Sequence, residues 1–331
     1  MCTRVVYLGA DGLVTTARSM DWMGPVYSDM WIFPRGLART GAAGARSVEW
    51  TAKWGSVVTA SFANLASTDG INERGLVANL LYLAESQYPT PVTGDGRRAI
   101  AISAWLQYML DRHATVAEAV AAVRDEPFDV LPTMTPDGHP GFVHLALSDP
   151  TGDSAIFEYI DGKQVIHHGR QFQVLTNSPT YDQQLALVAY WQTVGGEAML
   201  PGTHRAADRF VRATHYTASV PRTADPVEGV ATTFSIIRNA SVPLGVKAPE
   251  GQPNIASTLW RTVADQKSRR YFFESTRSPN IFWVDLADID FSPGAPVRKL
   301  KLSDGKEIYA GNVAAQFEPA PPFAFKAADV P

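Results

Sequence analysis

A chain of 331 residues with 45% hydrophobic and 19% charged side chains has the composition of a protein that buries a core. Its net charge of −4 leaves no basic excess to hold nucleic acid or an anionic membrane. No run approaches the ~18 apolar residues of a membrane-spanning helix, so no membrane partner is expected.

In chain order, TRVVYLG, LVTTARSMDW, GSVVTASFANL and GLVANLLYL are apolar stretches punctuated by Gly, Asp and Asn, and they read as strands and hairpins. DGINERG, between the last two, reads as a turn. Ile102, Trp105, Leu106, Met109 and Leu110 repeat at helical spacing and predict one helix. Thr115 and Glu118 have capping-box spacing, and Val116, Ala119, Val120 and Val123 continue at the helical period. Strands return at FVHLALSD, SAIFEYIDG, KQVIHH and QFQVLTN; helices are expected near Tyr181–Thr193 and Arg205–Ser219. ASTLWRTVAD, SRRYFFES and IFWVDL are a last strand group, and the proline-rich stretch 317–331 is expected to run extended over the surface. This order predicts α+β layers rich in antiparallel sheet. No composition break marks a boundary, so residues 1–331 are read as one domain.

The only cysteine is the second residue, Cys2, so no intrachain disulfide can form. If Met1 is removed, a thiol with an ordinary pKa near ~8.5 and an α-amine near ~7.7–8.0 share one carbon, and the amine can take the thiol proton. The alternative is an incidental residue in a frayed terminus. Arg18 and Asp21, three apart at the end of a strand, are either a pair beside that thiol or a surface ion pair. Asn177, between a strand and a helix, either donates to an oxyanion or caps a turn. Arg209 and Arg212, three apart on a helix, read by themselves as solvated arginines. Adjacent His167 and His168 point to opposite faces of a strand and cannot share a metal; no paired-Cys or HExxH pattern exists, so neither metal nor cofactor is expected. Asn239-Ala240-Ser241 fits a glycosylation sequon but means little without secretory context. Trp22, Trp31, Tyr82 and Trp105 are candidates to line an apolar pocket, and core packing is the simpler account of Trp105.

CTRVVYLG, ARSMDW, GINERGL, TNSPTYDQQL, DRFVRA and ASTLWRTVAD, in that order, resemble the choloylglycine hydrolase family of penicillin V acylases and conjugated bile acid hydrolases. The resemblance runs from Cys2 to about Leu286. It implies an N-terminal nucleophile fold of four layers, αββα, with two stacked antiparallel sheets. It implies Cys2 as nucleophile after loss of Met1, with Arg18 and Asp21 beside it. Asn177 and the backbone N–H of Tyr82 would serve the oxyanion, and Arg209 would be a second active-site arginine. NLLYLAESQYP and MLPGTHRAADRFVRA look most like the Gram-negative penicillin V acylase branch, some members of which cleave N-acyl homoserine lactones. That branch usually carries tryptophan at the Tyr82 position. Bile acid hydrolases have a longer segment between the Asn177 and Arg209 positions than the residues 178–208 found here. The family also implies a homo-oligomer, a tetramer. A bile acid hydrolase, a ceramidase-like amidase and a catalytically silent binding protein remain as rival readings. The compartment stays open between cytoplasm and periplasm.

Overall fold

The structure, a computed structural model, describes residues 2–90, 96–195, 198–246, 256–278 and 280–329. A seven-stranded sheet runs in the order Val174–Leu175, Cys2–Leu8, Val14–Asp21, Thr258–Asp265, Arg270–Ser275, Ile281–Asp285, Gly311–Asn312. It is antiparallel except at the Gly311–Asn312 edge. A nine-stranded sheet runs Lys163–His168, Ser154–Ile160, Val143–Ser148, Val77–Tyr82, Ala66–Asn72, Ser56–Ser61, Asp29–Phe33, Arg298–Leu300, Glu318–Pro319. The two sheets face each other across one core holding Met20, Val57, Ile71 and Ile156.

Helices α1 (Ile102–Arg112) and α2 (Val116–Val123) cover the outer face of the nine-stranded sheet, burying Trp105, Leu106 and Met109 against Val58, Leu145 and Phe157. Helices α3 (Tyr181–Val194), α4 (Ala206–Ser219) and α5 (Pro226–Asn239) form the opposite layer; α4 and α5 lie on the seven-stranded sheet and α3 packs on α4. The order is the four-layer αββα arrangement. Strand Cys2–Leu8 is buried at every residue, since both of its faces are covered. The buried guanidinium of Arg4 reaches across the sheets, donating to Ser154 Oγ (3.0 Å) and to the carbonyl of Leu147 (2.9 Å).

Several elements differ from the sequence reading. DGINERG is not all turn: Asp69–Asn72 complete the strand Ala66–Asn72, and the reversal occupies residues 73–75. QFQVLTN contributes only the two-residue strand Val174–Leu175. Strand Asp29–Phe33 and helix α5 lie outside the elements that the sequence pattern predicts. The signal for α5 is Asp225, whose side chain accepts the N–H groups of Val227 and Glu228, followed by proline at the first helical turn. At α2, Thr115 Oγ1 accepts from Glu118 N at 3.1 Å, while the Glu118 carboxylate accepts from Ala114 N rather than from the cap residue itself.

One buried group makes the fold sensitive to acid. His113 ends α1, and burial, followed by the nearby Arg112 charge, lowers its pKa to about 4. The unfolded chain takes up that proton near ~6.5, so the stabilising difference is complete above that pH and is lost as pH falls toward 4. Chemical denaturation of wild type and His113→Gln is expected to show wild type losing up to about 3 kcal/mol more than the variant between pH 7 and 4. Parallel pH dependences would contradict the assignment.

Candidate active site

The site lies where the first two strands meet the facing sheet. Cys2 pairs with Met20, and Arg4 with Arg18, so Cys2, Arg4, Arg18 and Met20 share the face toward the nine-stranded sheet. Thr3, Ser19 and Asp21 share the face toward the helices. Arg18 and Asp21 therefore project from opposite faces instead of facing each other, as an odd separation in a strand requires. Arg18 Nη2 lies 3.3 Å from Cys2 Sγ and 3.0 Å from the carbonyl of Leu80. Its guanidinium stacks over the Trp260 ring at 4.5 Å. Asp21 meets Arg209 from the other layer at 3.5 Å and accepts from Thr258 Oγ1 at 2.7 Å.

Arg209 is fully buried, not solvated. Its Nη1 donates to the Cys2 carbonyl at 2.8 Å and to Thr3 Oγ1, and its Nη2 to Asn177 Oδ1 at 2.9 Å. Burial lowers its pKa, and the Asp21 carboxylate is the largest opposing influence. Arg212 is buried too, donating to the carbonyls of Pro201 (2.7 Å) and Thr203 (2.8 Å), where it ties down the segment leading into α4.

Asn177 follows strand Val174–Leu175 and bridges three elements. Its Oδ1 accepts from Cys2 N at 2.7 Å, and its Nδ2 donates to the Tyr82 carbonyl at 2.6 Å. Tyr82 sits opposite Val143, but Val143 gives its N–H to Tyr88 Oη (2.9 Å) and Leu83 N bonds the Phe142 carbonyl (2.9 Å). Tyr82 is thus a non-hydrogen-bonded pair member, and its N–H and C=O both face the other strand edge. There the neighbouring strand pairs only over Asp69–Ile71, leaving the Tyr82 edge open toward Asn177 and the cleft.

A cleft of about 660 Å³ opens over Cys2, walled by Met20, Trp22, Phe62, Leu81, Tyr82 and Ile102 among others. Trp22 packs edge-to-face against Phe62 (5.2 Å) and Tyr82 (6.2 Å), and its Nε1 donates to Asp137 Oδ2 at 2.8 Å. Trp31 is elsewhere. It stacks on Phe33 at 6.0 Å in the outer core under α1, with Nε1 on Asn64 Oδ1 at 2.9 Å. Its strand is buried on both faces, and residue 31 belongs to the face turned away from Cys2. Trp105 is core, in that same outer cluster. His167 lies against Tyr181 (4.8 Å) and His168 bonds Asp153 (2.8 Å), on opposite faces of their strand. The described residues hold no group of three or more His, Cys, Asp or Glu arranged for a metal, and none of their helices is long and apolar enough to cross a membrane. The sequon residues Asn239-Ala240-Ser241 end α5.

Sequence reasoning missed Asp69. It is buried in the sheet facing Cys2 and accepts from Asn79 Nδ2 (2.7 Å), Thr262 Oγ1 (3.0 Å) and Tyr271 Oη. Burial raises its pKa, and the Arg18 charge is the largest opposing influence. Thr262 pairs with Arg18 across the strands, so this network joins the two sheets directly behind the guanidinium that touches Cys2.

A buried thiol at the head of a central strand, contacted by an arginine and open to an apolar cleft, is suited to attack on an acyl group. The comparisons agree. The model of the linear amide C–N hydrolases, choloylglycine hydrolase family, matches residues 2–304. The chain belongs to this family. It is therefore a linear amide hydrolase with the N-terminal nucleophile hydrolase fold. A penicillin V acylase of Pectobacterium atrosepticum is 51% identical, over 98% of this chain and 92% of its own. The structure of a penicillin V acylase from Agrobacterium tumefaciens superposes with a TM-score of 0.91 at 51% identity, covering 98% of this chain and all of that one. A mutant conjugated bile acid hydrolase from Clostridium perfringens shares the fold at a TM-score of 0.77 and 20% identity, over 94% of this chain and 98% of its own.

Proposed function

We propose that this family member is a penicillin V acylase-type enzyme: it cleaves amides that join an apolar acyl group to a polar amine, with Cys2 as nucleophile. The observation that carries this reading is the Cys2 thiol beneath an apolar cleft, 3.3 Å from Arg18 Nη2, with its own nitrogen held 2.7 Å from Asn177 Oδ1. Removal of Met1, which lies outside the described residues, makes that nitrogen an α-amine. The amine accepts the thiol proton, the thiolate adds to the carbonyl carbon, and the oxyanion receives donors from Asn177 Nδ2 and the Tyr82 N–H. The protonated amine passes its proton to the leaving nitrogen, and water then hydrolyses the thioester. Arg209 and Asp21 hold the nucleophile's backbone from the helical side. Arg18 supplies positive charge at the sulfur.

Aliphatic walls such as Met20, Leu81 and Ile102 also favour acyl homoserine lactones as substrates, and Trp22 and Tyr82 are read as the aromatic contacts of the acyl group. Tyr82→Trp is expected to shift kcat/KM toward phenoxyacetyl amides and away from long alkyl chains, since the larger ring narrows the cleft. Aromatic contacts of this kind are worth ~0.5–1.5 kcal/mol, roughly a 2- to 10-fold change in ratio. The measurement is kcat/KM for penicillin V and a series of acyl homoserine lactones; ratios that do not move exclude the Tyr82 ring from the acyl site. We also propose a homotetramer. Leu185, Tyr190 and Val194 on α3 are exposed apolar side chains that a subunit interface would cover, and light scattering gives the mass that decides it.

A further inference from the structure

The cleft over Cys2 has a wall from an unexpected place. Lys326, five residues before the last residue of the sequence, lines it, and apart from Arg18 it is the only charged residue to do so among the described residues. Its backbone is held on both sides by other cleft residues: its N–H donates to the Leu65 carbonyl at 2.8 Å, and its carbonyl accepts from Ser103 Oγ at 2.6 Å. Further along, Ala328 N bonds the Ala42 carbonyl (2.8 Å) and Asp329 N the Pro132 carbonyl (3.1 Å), next to the cleft residue Thr133. Upstream, the Phe323 ring is set against Trp31 (5.2 Å) and Phe33 (5.7 Å), and the Arg39 guanidinium lies over Phe33 (4.1 Å) and Phe325 (5.7 Å). The stretch 323–329 is thus a strap fixed at both ends by packing and by hydrogen bonds, with Lys326 at the point where it meets the cleft. The bonds of Lys326 run to Leu65, in the loop after strand Ser56–Ser61, and to Ser103, in the first turn of α1. Neither belongs to the sheet that carries Cys2.

We propose that this strap is the distal wall of the acyl cleft, and that Lys326 sets the length of apolar acyl group the enzyme accepts. The inference rests on the amidase reading of the cleft. An acyl chain entering from Cys2 gains contact with aliphatic side chains until it reaches the strap. Each buried methylene strengthens binding by about fourfold. Beyond that point an added methylene must displace the solvation of an ammonium group, and the gain stops. The fixed backbone keeps the strap from yielding, and the half-buried lysine side chain is the part a substitution can shorten.

The test uses straight-chain carboxylic acids of increasing length, the acyl products themselves, titrated calorimetrically into wild type, Lys326→Ala and Ser103→Ala, so that turnover is not needed. Wild type is expected to bind about fourfold more tightly per methylene up to a limiting length and then level off. Lys326→Ala is expected to carry the rise through at least two further methylenes, a gain of 10-fold or more for the longest acids. Ser103→Ala, which frees the strap's carbonyl, is expected to shift the limit in the same direction, with circular dichroism and melting confirming that both variants fold. Identical length profiles in all three proteins overturn the strap's role and leave the amidase reading intact. Absence of saturable binding in all three, together with absence of amide hydrolysis by wild type, overturns both.

Discussion

Cys2→Ala is expected to lose amide hydrolysis by a factor on the order of 10⁴ or more, with its fold retained. The nucleophile and base of such a unit are not additive with the rest of the site, and removing the attacking atom leaves only oxyanion stabilisation and binding. The side chain is small, and it sits at the start of its strand with few atoms to lose, so the melting temperature is expected to change little. Penicillin V turnover by product detection checks the rate, and iodoacetamide labelling checks the thiol: wild type takes one label per chain and the variant none, because the chain has no other cysteine. Cys2→Ser is expected to retain a trace, since a hydroxyl is far less acidic than a thiol. Turnover retained in Cys2→Ala contradicts the mechanism.

Asn177→Ala is expected to lower kcat by roughly 10²–10³-fold with KM little changed, as removal of an oxyanion donor does. The same side chain also holds Cys2 N and the Tyr82 carbonyl in place, so alanine alone does not separate donation from positioning. Asn177→Asp does. It keeps an acceptor for Cys2 N and Arg209 but removes the Nδ2 donor and adds negative charge where an oxyanion forms. Both variants are expected to be slow, with the aspartate at least as impaired as the alanine. Asn177→Asp with near-normal kcat would assign Asn177 to positioning alone.

How much of this was legible in the sequence depends on the range of the interaction. Position two made Cys2 conspicuous, because only there can a thiol share a carbon with a terminal amine. The alternation of the first strands separates the pair: residues 18 and 21 cannot face each other in a strand, so Arg18 belongs with the thiol and Asp21 with a group from the other layer. Which group, Arg209, was not readable from local pattern, because a lone arginine on a helix resembles a solvated one until the facing sheet is known. Trp31 failed for a related reason. Its strand is buried on both faces, so hydrophobicity does not say which face meets the cleft. Asp69 was hidden by composition: Asp, Gly and Asn together signal a turn, and two of the three side chains that satisfy this aspartate inside a sheet, Thr262 and Tyr271, lie about 200 residues away. Helix α5, by contrast, carried a local signal in Asp225, Pro226 and Glu228. The strap at Lys326 had none, because it lacks periodicity and its position is set by the aromatic side chains it packs against.

The most direct test of the central claim is to catch the covalent intermediate on the residue that is said to form it. Enzyme mixed with excess penicillin V is quenched in acid during steady-state turnover, digested, and its N-terminal peptide weighed. The account predicts a peptide that begins at Cys2, has lost Met1, and carries one phenoxyacetyl group on that residue. A peptide that keeps Met1 and stays unacylated while the bulk enzyme turns over substrate would contradict it.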